Sequence, residues 1–91
     1  MKLFVAFNCA GQDEELFGAL TSVLRSYHWL PEPGFHGAFH KMENDGMLIG
    51  DAEKLIRREV NTATFEAEWK DVQFLYMVEI EPVRFGVSKG D

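Results

Sequence analysis

Residues 72–81 read VQFLYMVEIE and alternate without a break. Val72, Phe74, Tyr76, Val78 and Ile80 fall on one side, and Gln73, Leu75, Met77, Glu79 and Glu81 on the other. Successive side chains of a strand point to opposite faces, so this spacing predicts a half-buried β-strand. The opening LFVAF, residues 3–7, is apolar and rich in strand formers, and is its natural neighbour. Two helical stretches lie between them and predict cover for one face of the sheet.

The first helix is expected over residues 13–27, where Leu16, Phe17, Leu20, Val23, Leu24 and Tyr27 recur at three- and four-residue steps. Asp13, Glu14 and Glu15 suit its N-terminal dipole, and Arg25 suits the other end. Gly18 in its interior suggests a close approach to the sheet. Two prolines and a glycine within residues 29–34 end it. A second strand is expected over residues 35–42, followed by a turn at residues 43–46 whose Asp45-Gly46 pair points to a hairpin. Residues 47–49 would form a short third strand. Asp51 would cap a second helix over residues 52–60 that buries Leu55, Ile56 and Val60. The alternation of Phe65, Ala67 and Trp69, with β-branched Thr62 and Thr64, favours an extended segment over residues 61–69. Residues 83–87 would add a short edge strand. The result is one β-α-β-β-α-β domain over residues 1–87, an α+β ferredoxin-like arrangement with an antiparallel sheet and two helices on one face, followed by a loose tail at residues 88–91.

In this arrangement Val5, Phe35, Phe39, Phe74 and Val78 face the helices. The opposite face carries Phe4, Ala6, His36, Ala38, His40, Leu75 and Met77, too apolar a set to sit comfortably in water. A second copy of the chain or another protein is expected to cover it.

Composition narrows the function. With 46% hydrophobic and 26% charged residues among 91, the chain is an ordinary globular domain. The lone Cys9 excludes an internal disulfide and fits a reducing, cytoplasmic setting. No apolar run approaches the roughly 20 residues needed to span a bilayer, and the start turns acidic too soon for a signal peptide. The net charge is −6, and the only basic cluster is Arg57-Arg58. Direct nucleic-acid binding is therefore disfavoured, and an acidic surface better suits a basic protein partner.

No residue set carries catalytic chemistry, and neither a metal nor a cofactor is expected. His28, His36 and His40 lie close in sequence, with His36 and His40 on one face of a strand, but a transition-metal site needs three or four converging ligands. Glu66, Glu68, Asp71, Glu79 and Glu81 form no pair in two contrasting environments, as acid-base catalysis requires. Glu79 and Glu81 instead read as charges guarding an edge strand.

The LFVAF start, together with residues 24–42 (LRSYHWLPEPGFHGAFHKM), resembles the first half of two-histidine phosphoesterases, whose strand carries His-x-Thr with the histidine as general acid or base. His36 matches that histidine, Ala38 stands at the threonine, and no second motif follows. In size, element order, opening strand and apolar strand near the C-terminus, the chain also resembles the small ferredoxin-like Cas2 proteins of CRISPR systems. That resemblance implies a dimeric nucleic-acid-processing protein in which an acidic residue at the end of the first strand binds a metal. Here that residue is Asn8, a poor ligand for a hard cation. The general character, small and acidic, is similar to phage-encoded anti-defence proteins, including anti-CRISPR proteins, as a likeness of type without a shared motif.

The leading expectation is a non-catalytic acidic module that inhibits or modulates a macromolecular partner. Phe4, His36, His40, Leu75 and Met77 would form its apolar surface, and Glu66, Glu68, Glu79 and Glu81 its charged rim. The alternatives are a Cas2-like dimer and a homodimer that closes sheet on sheet around a small ligand.

Overall fold

A computed structural model describes residues 1–8, 14–44 and 46–79. The elements in chain order are β1 (Lys2–Phe7), α1 (Glu14–Ser26), β2 (Leu30–Pro31), β3 (Ala38–Met42), α2 (Ile49–Glu66) and β4 (Phe74–Glu79). The sheet order is β2-β3-β1-β4, and every neighbouring pair is antiparallel. This is the α+β architecture expected, with a strand order and two helices compatible with a ferredoxin-like arrangement. No helix among the described residues is long and apolar enough to cross a membrane.

Alternation decides the layers. Leu3, Val5 and Phe7 of β1 and Phe39 of β3 are buried, and Phe74, Tyr76 and Val78 of β4 pack against them. Leu20 and Leu24 of α1, and Ala52, Ile56, Val60 and Ala63 of α2, close the same core from one side. Burying an aliphatic side chain of this size contributes roughly 1.5–3 kcal/mol.

Both helices end in the same way. His28 and Glu68 adopt left-handed backbone, at φ 73° and 58°. The N–H of His28 donates to Arg25 O and that of Trp29 to Leu24 O; likewise Glu68 donates to Phe65 O and Trp69 to Thr64 O. Each is a Schellman closure, in which a hydrophobic residue just past the turn packs back on the helix. Here that residue is a buried tryptophan both times.

Five expectations are corrected. The hairpin joins β2 to β3 through residues 32–37, with Gly34 at φ 82° and Gly37 at φ 86°, rather than at Asp45-Gly46. Gly46 N–H donates to Asn44 Oδ1 and Met47 N–H to Asn44 O, and these residues lead into α2 with no strand over residues 47–49; Asp45 lies outside the described residues. Leu48 takes the cap position without a side-chain hydrogen bond, leaving Asp51 in the first turn. Residues 61–66 are helical, not extended, because Ile56, Val60, Ala63 and Ala67 bury one continuous helical stripe. Thr62 and Thr64 turn their hydroxyls back on Arg58 O and Val60 O. Gly18 is exposed, and a Cβ there would meet nothing within 4 Å, so it marks no close approach. The expected strand at residues 83–87, and the tail, lie outside the described residues.

Candidate functional site

The face of the sheet away from the helices is built in three cross-strand rows. Met42, Lys2 and Glu79 form one end, His40, Phe4 and Met77 the middle, and Ala38, Ala6 and Leu75 the other end. Cross-strand neighbours of this kind stand about 5 Å apart, close enough to make one continuous surface. Leu75 is 67% exposed, Met77 57% and Met42 65%. The Lys2 ammonium lies 4.7 Å from the Phe4 ring centroid and covers part of it.

Ala6 and Ala38 are too short to fill their end of the face. They help line a hollow of about 250 Å³ walled by Phe4, Phe35, Leu75, Met77 and Glu32. Phe35, expected among the helices, is 68% exposed and turned to this hollow, because it sits in the hairpin rather than in the strand. Beside the hollow, His40 Nδ1 and Glu32 Oε2 are 2.6 Å apart. Both atoms are shielded from solvent, and neither makes a hydrogen bond that meets geometric criteria, so the pair is held by proximity alone.

The nine candidate residues do not converge on one surface. Phe4, His40, Leu75, Met77 and Glu79 share the outer face. His36 does not: it lies in the hairpin turn, its ring 4.4 Å from that of Phe17 on α1. Glu66 and Glu68 lie at the C-terminal end of α2, where with Phe65, Trp69, Lys70 and Asp71 they line a second, wide-open hollow of about 770 Å³. Phe65 is 81% exposed there. Glu66 accepts a 3.3 Å hydrogen bond from Tyr27, whose phenol is pushed above its usual range by desolvation and then by that carboxylate. Glu81 lies outside the described residues. Asn8 donates from Nδ2 to Gln73 Oε1 at 3.3 Å, and its backbone N–H donates to Gln73 O. Among the described residues no three His, Cys, Asp or Glu side chains come together to hold a metal ion.

Sequence reasoning missed a polar knot inside the core. Lys41 is buried on the helix-facing side of β3, and its Nζ donates to Glu59 Oε1 at 2.8 Å. Trp29 Nε1 donates to the same oxygen at 2.9 Å, and Glu43 Oε2 lies 3.5 Å from the ammonium. One carboxylate oxygen therefore joins the C-terminal end of α1, the sheet and α2.

No protein-family model matches the chain, and neither the curated proteins nor the solved structures give a significant match.

Proposed function

We propose that this protein is a non-catalytic acidic module of the cytoplasm that binds a protein partner and modulates it, docking through the open face of its sheet. The observation that carries the reading is the outer face itself, with Leu75, Met77, Met42 and Phe35 each more than half exposed on one continuous surface. Contiguous apolar surface of this kind marks interaction sites. Carboxylates complementary to a basic partner belong to a different region, the α2 end with Glu66, Glu68 and Asp71. Inhibition of the anti-defence kind would follow if the partner's own working surface were covered. Nucleic acid is a poor candidate because Arg57 and Arg58 form the only adjacent basic pair in a chain of net charge −6.

Capture of protein from host lysate separates the two surfaces. Leu75→Glu should abolish capture of a partner held by the sheet face, whereas Glu66→Lys with Glu68→Lys should weaken a basic partner and flatten its salt dependence. If neither variant changes what is captured, the reading is wrong.

A further inference from the structure

We infer that the protein seated on the outer face is a second copy of this chain, with Met42 of each copy filling the Ala6/Ala38 hollow of the other. The inference rests on the reading of that face as a docking surface and names its occupant as the chain itself, which leaves a foreign basic partner to the α2 end with Glu66, Glu68 and Asp71.

The face is self-complementary. Strand β3 carries a projection at one end, Met42, and the floor of a hollow at the other, Ala38, with His40 midway. Met42 and Ala38 both lie on the outer side, four residues apart, about 13 Å at a strand's rise. A two-fold axis lying in the plane of the interface, perpendicular to β3 and passing beside His40, lays the projection of one copy over the hollow of the other. The same operation returns the favour, as an isologous interface requires. The hollow, at about 250 Å³, is large enough for the flexible thioether side chain of a methionine, a residue suited to filling irregular apolar gaps.

Charge points the same way. Two copies of a chain of net charge −6 repel, unless they meet where charge is nearly compensated. On the outer face the described charged groups are Lys2 and Glu79 at the Met42 end and Glu32 beside the hollow. The two-fold carries Lys2 and Glu79 of each copy toward the end where the other copy holds Glu32, with Lys2 the nearer of the two because β1 stands one strand closer to the hairpin than β4. A basic partner finds no comparable cluster of carboxylates here, since Glu66, Glu68 and Asp71 lie at the end of α2.

The test is the mass of the intact chain in solution, by light scattering through the micromolar range, with circular dichroism to confirm folding. A dimer is expected. Met42→Glu and Ala38→Phe, one charging the projection and one filling the hollow, should each weaken it at least about tenfold, as loss of a central apolar anchor does. A second measurement does not depend on those variants. In a Cys9→Ser background, Ala38→Cys with Met42→Cys should yield a disulfide-linked dimer under mild oxidation. The two new cysteines are too far apart on one strand to bridge within a copy. Met42→Cys alone should give no cross-link, because the axis keeps the two Met42 positions apart. A dimer unaffected by both substitutions, or cross-linking by Met42→Cys alone, overturns the proposed pairing. A monomer that captures a foreign protein in a Leu75-dependent way overturns the second copy and leaves the docking face standing. A monomer with no such capture overturns both.

Discussion

Lys41 sits where period two puts it, two residues from Phe39 and on the same side of the strand, so its burial was legible from AFHKM. What the sequence does not display is how a lysine survives there, because Glu59 is distant in the chain and Trp29 lies in a stretch that reads as a helix breaker. Glu59 Oε1 takes both the ammonium and the indole N–H, and its side chain is only 13% exposed. Removing it strands a buried cation and an indole donor together. Glu59→Ala should destabilise the fold by about 3 kcal/mol, read from chemical denaturation. Pairing Lys41→Met with Glu59→Gln removes both charges and keeps an acceptor for Trp29, and should recover most of that loss. A Glu59→Ala protein as stable as the parent would show that water serves these groups equally well.

At the level of elements, the strong periodic signals carried through and the punctuation did not. Strands β1 and β4 and the stripe of α1 follow directly from alternation and three-to-four spacing. The hairpin was misplaced because Asp45-Gly46 is a good two-residue turn by composition, whereas Glu32-Pro33-Gly34 reads only as the end of a helix. The extra turns of α2 were hidden by Thr62 and Thr64, whose β-branching opposes helix locally but is outweighed by Val60, Ala63 and Ala67 meeting the core. Two substitutions check these assignments. Asn61→Pro, at an exposed position, should cost about 3 kcal/mol and lower helical circular dichroism, since it removes an interior helical hydrogen bond. An extended segment there would tolerate it far better. Gly18→Ala, on the exposed side of α1, should raise stability by about 0.5–1 kcal/mol, and any loss would mean that the helix packs more closely there than described.

For the molecule as a whole, one sheet divides the chemistry in two. Its inner face, with both helices, supplies the core; its outer face contributes little to folding. Leu75→Glu should therefore leave the unfolding free energy of a monomer within about 0.5 kcal/mol of the parent, while removing whatever the face binds. Such a split between stability and binding separates a docking residue from a core residue. The outer-face residues Phe4, His40, Leu75, Met77 and Glu79 were readable because they follow strand alternation. Phe35 and Glu32 were not, since their places depend on the hairpin, and Glu66 and Glu68 parted from the face once α2 lengthened.

The shortest strand has the widest consequence. At its β2 side the sheet offers a passing chain only Leu30 and Pro31, and the proline has no N–H with which to continue the ladder. Sideways templating, the route by which sheet proteins grow into fibrils, is interrupted at that border after two residues. Molecules that meet at that border therefore find only two residues to copy, and one of them cannot donate.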